Sequence, residues 1–229
     1  MKINVKRWFI CGIVSAVLFA VWTALIMMVD VLPCGVNGTN IGLAAFNTWF
    51  HRLTGVHMTL YSITDWLGLV PIFICFVFGG IGLVQMIKRR SLFKVDGDIL
   101  ILGAFYVAVI FCYLIFEMIP INYRPVLIEG HMEASYPSST TLLVLSVMPT
   151  LTEQANRRLK NAFAKRAISI FSICFSLFMV LGRMISGVHW FSDILGSVLI
   201  SCSLFSFYKA AVDLSIKKRA EKEAVNGIQ

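Results

Sequence analysis

The chain has 229 residues, of which 58% are hydrophobic and only 14% are charged, and its formal net charge is +8. This balance excludes a water-soluble globular domain, because too few polar side chains remain to cover its surface. The composition therefore predicts an all-α membrane protein built from long apolar helices.

Six segments are predicted to cross the membrane, since about 20 apolar residues are needed to cross roughly 30 Å of hydrocarbon. Five are long apolar runs, at residues 8–29, 66–87, 98–119, 168–184 and 190–208. The sixth, residues 139–151, is shorter and more polar, and Pro149 is expected to kink it or end it early. We therefore predict a polytopic bundle of six transmembrane helices, formed by a single domain over residues 1–229.

The first run and the segment after it raise separate questions. The first run follows Lys2, Lys6 and Arg7 as in a signal peptide, but it is too long for an h-region and lacks a small-x-small exit, so we expect a retained anchor. In the segment 41–55, helical spacing places Ile41, Ala44, Ala45 and Thr48 or Trp49 on one face. That pattern fits either an interfacial helix or an ordered loop.

Basic residues predict the orientation. Of the 20 lysines and arginines, all but Arg52, Arg124 and Arg183 fall on the amino-terminal side of the six spans. By the positive-inside rule, both termini lie in the cytoplasm, including a basic tail at about 209–229. The protein is thus predicted to lie in the cell membrane, with its positive charge facing anionic lipids rather than nucleic acid.

Four charged or titratable residues are then left at the outer ends of the spans: Arg124, Arg183, His189 and Asp193. Charge at that depth requires a partner or a function. Asp193 lies one helical turn after His189, where its carboxylate can fix one ring nitrogen and leave the other as a nucleophile or base. The alternative is that the two side chains only satisfy each other. An unbroken helix would point Arg183 and His189 apart, so a turn at residues 186–187 is needed to bring them together.

A second polar cluster lies in residues 122–141. Arg124 carries a planar guanidinium group suited to phosphate oxygens. The run "YPSSTT" places Ser138, Ser139 and Thr140 at the start of the short fourth span, where backbone N–H groups and the helix dipole also favour an anion. A hydroxyl run at this place is also typical of a simple helix cap. The arginines, the hydroxyl groups and the histidine on one face together indicate an oxyanion site.

These residues resemble the signature of the type-2 phosphatidic-acid phosphatase family, membrane enzymes whose site is related to that of the vanadium haloperoxidases. The family has three motifs, K-x6-R-P, P-S-G-H and S-R-x5-H-x3-D, at the outer ends of a six-helix bundle. The third reads "GRMISGVHWFSD" here and keeps Arg183, His189 and Asp193 at the family spacing. The first keeps Arg124 but has Glu117 in place of lysine. The second reads Pro-Ser-Ser-Thr over residues 137–140, so that Thr140 replaces histidine.

The resemblance implies a role for each matching residue. His189 attacks phosphorus and is held by Asp193, while Arg124, Arg183 and Ser138 bind the phosphate, with Ser139 and Thr140 beside them in the hydroxyl run. The histidine that protonates the leaving group in the family has no counterpart. A positioned general acid contributes roughly 10² to 10⁴-fold, but a phosphate leaving group, with its second pKa near about 6, needs little help.

The sequence therefore predicts a phosphatase that acts on a lipid phosphate or diphosphate at the outer face through a phosphohistidine intermediate. No cofactor and no metal ion are expected, because the chain has neither a nucleotide-binding loop nor a set of metal ligands at typical spacing. The alternative is a catalytically weak relative that binds or moves phospholipid, as the residues at positions 117 and 140 suggest. A transporter is disfavoured, since its polar residues would lie near the membrane midplane.

Overall fold

The computed structural model describes residues 4–226, which fold into helices joined by loops, with no β-strand among them. Short 3-10 turns occupy Val36–Gly38 and Leu92–Lys94. The α-helices, in chain order, are α1 Val5–Met28, α2 Ala44–Thr54, α3 Met58–Leu67, α4 Leu69–Arg89, α5 Gly97–Met118, α6 Ser139–Arg158, α7 Ala162–Ile185 and α8 Phe191–Asn226.

Five stretches of helix are long and apolar enough to cross a membrane: α1, α3 with α4, α5, α7 and α8. They contain the five long runs predicted from the sequence. The short fourth span corresponds to α6, which is 20 residues long and is the more polar helix that the sequence indicates. Pro149 does not end α6, which continues to Arg158. Helix α6 is thus long enough to cross the bilayer, although its composition is less apolar than that of the other five.

The second predicted span was placed too late in the chain. Helix begins at Met58 rather than near residue 66, and α3 joins α4 through Gly68, whose backbone is itself helical. Hydropathy does not predict this first part of the helix, because several polar residues precede Trp66. Two of those polar side chains, Tyr61 and Asp65, lie at the candidate site described below.

The segment 41–55 is a helix rather than an irregular loop, since α2 covers most of it. Its polar Asn47 is fully buried together with Ala44, whereas Trp49 and Leu53 are exposed. The predicted apolar face is therefore divided, because Ile41 and Ala44 pack inward and Trp49 points away from the protein. The exposed apolar side chains are those expected of a helix at a membrane interface.

Helices α4 to α8 share one apolar core, and α1 packs on α8. Tyr208 and Val212 of α8 contact the core that α4, α5, α6 and α7 form. Small side chains allow α1 and α8 to approach closely: Gly12 packs against Phe207, and the Ser203 hydroxyl donates to the Gly12 carbonyl oxygen at 2.9 Å. Close approach through small residues is a common way for membrane helices to associate.

A buried ion cluster joins α6 and α8 at the end of the bundle opposite to His189. Lys209 Nζ lies 2.8 Å from Glu153 Oε1 and 3.0 Å from Asp213 Oδ1. Arg157 adds a second contact to Glu153, at 2.6 Å. Lys209 is only 7% exposed, so its charge depends on these partners rather than on water.

We expect Lys209→Met to lower the free energy of unfolding by about 3–5 kcal/mol, because Asp213 and Glu153 would lose their main buried cation. Thermal unfolding of the purified protein in detergent measures this change. Lys217→Met is the matched control, since the Lys217 side chain is 60% exposed on the same helix. Equal stability of the two variants would contradict a supporting role for the cluster.

Candidate active site

A tight turn between α7 and α8 carries His189. Helix α7 ends at Ile185, and the chain reverses through Ser186 and Gly187, which has φ +71°. A Cβ atom at position 187 would clash with the carbonyl oxygen of Gly55, so both the backbone conformation and the space require glycine. The turn predicted at residues 186–187 is confirmed.

His189 and Asp193 lie side by side at the start of α8, and both are buried. His189 Nδ1 is 3.7 Å from Asp193 Oδ2, which is too long for a hydrogen bond. The same Oδ2 accepts a hydrogen bond from the Trp190 backbone N–H at 2.8 Å, and Asn122 Nδ2 lies 3.5 Å from Oδ1. These contacts fix the carboxylate next to the imidazole.

The two predicted arginines meet at Tyr61 of α3. The guanidinium carbon of Arg183 is 4.9 Å from the centre of the Tyr61 ring, and that of Arg124 is 5.7 Å away. Each has one acidic neighbour: Arg124 Nη2 lies 3.0 Å from Glu133 Oε2, and Arg183 Nη1 lies 3.6 Å from Asp65 Oδ1. The aromatic face and the partial pairing hold two like charges close together.

Much of this polar surface has no partner within the described residues. Nε and Nη1 of Arg124, the same two atoms of Arg183 and both ring nitrogens of His189 are buried without a hydrogen bond to any part of residues 4–226. Burial and the charges of Arg124 and Arg183 lower the pKa of His189 well below its usual value, which favours the neutral, nucleophilic imidazole. Buried donors of this kind are normally satisfied, so the arrangement is suited to an anion with several oxygen atoms.

The three predicted hydroxyl residues occupy different positions at the start of α6. Ser138 is fully buried, and its hydroxyl donates to Thr141 Oγ1 at 3.1 Å. Its backbone N–H points to the Asp193 carbonyl oxygen at 3.3 Å, so Ser138 ties α6 to the start of α8. Ser139 and Thr140 instead line the open spaces around the site.

Two cavities meet at Ser139. A small one of about 180 Å³ is bordered by Arg124, Glu117 and Glu133. A larger groove of about 740 Å³ runs between α4, α5 and α6, with Asp65 and Thr140 at its polar end. The apolar residues of this groove are Leu69, Ile72, Phe76, Val109, Ile110, Leu142, Leu143 and Val147. The small cavity beside Arg124 thus adjoins, at Ser139, a groove whose walls suit a hydrocarbon chain.

The sequence argument did not identify Tyr61, Asp65 or Glu133. Tyr61 and Asp65 are four residues apart and share a face of α3. The sequence contains this helical spacing, but both residues precede the predicted span, which begins at residue 66. Arg124 pairs with Glu133 rather than with Glu117, which is exposed near the end of α5. Only the fold of the 119–138 loop brings Glu133 to the arginine.

Comparison with known proteins identifies the family of this chain. The sequence model of the PAP2 superfamily matches residues 101–216, a region that includes Arg124, Arg183, His189 and Asp193. No curated protein sequence matches the chain. The fold is similar to a crystal structure described as the first transmembrane PAP2 type phosphatidylglycerolphosphate phosphatase from Bacillus subtilis, with a TM-score of 0.60 and 15% identity over 91% of this chain and 96% of that chain. Since the family model covers more than half of the chain, this protein belongs to the PAP2 superfamily.

Proposed function

We propose that this protein removes phosphate from a lipid phosphate or diphosphate at the extracytoplasmic face, through a phosphohistidine at His189. Membership of the PAP2 superfamily supports a lipid phosphatase at the level of the family. The observation that carries the proposal is the pair of buried, partly unpaired guanidinium groups near the buried His189. A phosphoryl group supplies the oxygens that these donors lack.

In the proposed reaction, Nε2 of His189 forms a bond to phosphorus while the bond from phosphorus to the leaving oxygen breaks. A hydrogen bond from Nδ1 to Asp193 would hold the ring in the tautomer that leaves Nε2 unprotonated; the 3.7 Å separation is expected to shorten when substrate binds. Water then attacks phosphorus, the N–P bond breaks, and inorganic phosphate is released. Arg124 and Arg183 neutralise the transferred group, so the reaction as proposed needs no metal ion.

The large groove supports a lipid substrate. Its polar end, at Thr140 and Asp65, lies beside Ser139, and its walls are apolar along α4, α5 and α6. A phosphate bound at the arginines would therefore place its hydrocarbon chain against apolar side chains. The volume of about 740 Å³ is suited to part of an acyl or prenyl chain.

The distribution of charge supports an outward-facing site with cytoplasmic termini. His189 lies before the first residue of α8, whereas Arg157 and Arg158 end α6, and Lys209 lies well inside α8 in contact with the last turns of α6. Since basic loops are retained in the cytoplasm, the His189 end is proposed to face outward.

A second candidate function is phospholipid binding with little catalysis. Thr140 lines the groove where the family motif has histidine, and the hydroxyl of threonine is a poor proton donor to a leaving alkoxide. The retained arginines would still bind phosphate. Turnover by the purified protein on a panel of lipid phosphates and diphosphates separates the two functions.

We expect His189→Gln to reduce phosphate release by at least about 10³-fold, because the nucleophile is removed from a preformed site. Release of inorganic phosphate from a lipid phosphate in detergent micelles measures the effect. His131→Gln is the control, since His131 is exposed in the 128–131 hairpin. Turnover at the wild-type rate in His189→Gln would rule out the proposed mechanism.

Replacing either arginine by lysine should be damaging although the charge is kept. Arg124→Lys and Arg183→Lys should each lower kcat/KM roughly 10 to 100-fold, because a point ammonium cannot make paired hydrogen bonds to phosphate oxygens. Steady-state kinetics test this, with Arg52→Lys as the control on the exposed face of α2. Unchanged kinetics in either variant would remove that arginine from the site.

The residue at position 140 predicts a preference for good leaving groups. We expect faster turnover of a lipid diphosphate than of the monophosphate of the same lipid, because a phosphate leaves without a general acid. Thr140→His should then accelerate the monophosphate more than the diphosphate, by at most about 10² to 10⁴-fold. Comparing kcat for both substrates in both proteins tests this. A wild-type preference for the monophosphate would contradict the argument.

A further inference from the structure

The His189 turn is held by the segment 51–57, which lies far earlier in the chain. The His57 backbone N–H donates to the Ser186 carbonyl oxygen at 2.9 Å, and His51 Nε2 lies 3.0 Å from the Gly187 carbonyl oxygen. The end of α2 and the start of α3 thus fix both residues of the turn. His189 follows two residues later.

The first turn of α8 is capped from the same segment by Asn47. Its Oδ1 accepts a hydrogen bond from the Ser192 backbone N–H at 3.2 Å, and its Nδ2 donates to Ser192 Oγ at 2.9 Å. First-turn N–H groups have no partner inside their own helix, and an adjacent Ser, Thr, Asp or Asn usually supplies one. Trp190 occupies that adjacent position and offers no acceptor, since its indole N–H donates to the Tyr123 carbonyl oxygen.

Asn47 is itself firmly held. It is 0% exposed, and its Nδ2 also donates to the Gly42 carbonyl oxygen at 2.8 Å. Gly42 packs directly on the backbone of Ile26 in α1, with no space for a side chain. Trp22 of α1 adds a hydrogen bond from Nε1 to the Ser192 carbonyl oxygen at 3.1 Å. Through Asn47, the start of α8 is therefore anchored to the end of α1.

This cap acts on the same turn of helix as the carboxylate of Asp193. Asp193 reaches back to the Trp190 N–H at 2.8 Å, as the acidic residue of a capping box does. The position of the Asp193 carboxylate sets its distance to His189 Nδ1, which is 3.7 Å. A shift of about 1 Å at a reacting group can cost about 10²-fold in rate, so the position of this first turn matters for catalysis.

We propose that Asn47 is a positioning residue that holds the first turn of α8 so that Asp193 and His189 keep their relative orientation. This inference rests on the proposed function of His189. An amide is the side chain that suits this place, because it accepts from Ser192 N–H and donates to Ser192 Oγ and the Gly42 carbonyl oxygen at once.

The test is Asn47→Ala, with Asn40→Ala in the preceding exposed loop as the matched control. We expect kcat to fall about 10 to 100-fold, while the inhibition constant of inorganic phosphate stays within about twofold, because the arginines are untouched. A variant that lost the whole site would weaken phosphate binding as well. Wild-type kcat in Asn47→Ala, or equal losses of kcat and phosphate binding, would overturn the proposal.

Asn47→Asp keeps the test decisive if Asn47→Ala does not fold, since it preserves the shape and the acceptor for Ser192 N–H. Its kcat should exceed that of any folded alanine variant and lie below the wild-type value; an unchanged kcat would overturn the proposal.

His189→Gln separates the positioning role of Asn47 from the proposed function of His189. An inactive His189→Gln beside a fully active Asn47→Ala would reject the positioning role alone, whereas an active His189→Gln would reject the proposed function itself.

Discussion

The burial of two guanidinium groups with too few partners is the constraint around which this structure is organised. Arg183 is 1% exposed and Arg124 is 8% exposed, yet each has a single acidic neighbour and unbonded donors. Keeping such charges away from water is costly unless an anion completes their coordination. The Tyr61 ring, Asp65 and Glu133 reduce that cost without filling the site. These unpaired donors are therefore suited to an anion with several oxygen atoms.

At the other end of the bundle, a buried cation is fully paired with carboxylates. Lys209 is as buried as Arg124, but Glu153 and Asp213 both lie within hydrogen-bonding distance of its Nζ. That cluster is paired and joins α6 to α8, as expected of a structural ion network. The contrast between paired charge at one end and unpaired charge at the other distinguishes the support of the fold from the candidate site.

At the start of α8, the same side chain both caps the helix and faces the candidate nucleophile. Asp193 caps Trp190 and faces His189, while Asn47 supplies the neighbouring cap from α2. Since the start of α8 depends on a distant segment, the geometry of His189 and Asp193 depends on how that whole end of the bundle folds. The groove at Thr140 bears on substrate choice in two ways. The candidate site adjoins an apolar surface, which favours a lipid, and it lacks the histidine of the family motif, which favours a good leaving group.

The sequence by itself determined the helical class, the five long apolar segments, the need for a turn at residues 186–187 and the choice of Arg124, Arg183, His189 and Asp193 for the candidate site. These follow from hydropathy and spacing, which are local, and from the high cost of charge at a membrane, which makes the few charged residues informative. The tertiary structure decided the rest. Tyr61, Asp65 and Glu133 lie at the candidate site, and Asn47 contacts the first turn of α8, only because α2, α3 and the 119–138 loop fold against α7 and α8. No local pattern records such contacts, since they join residues that are up to 145 positions apart.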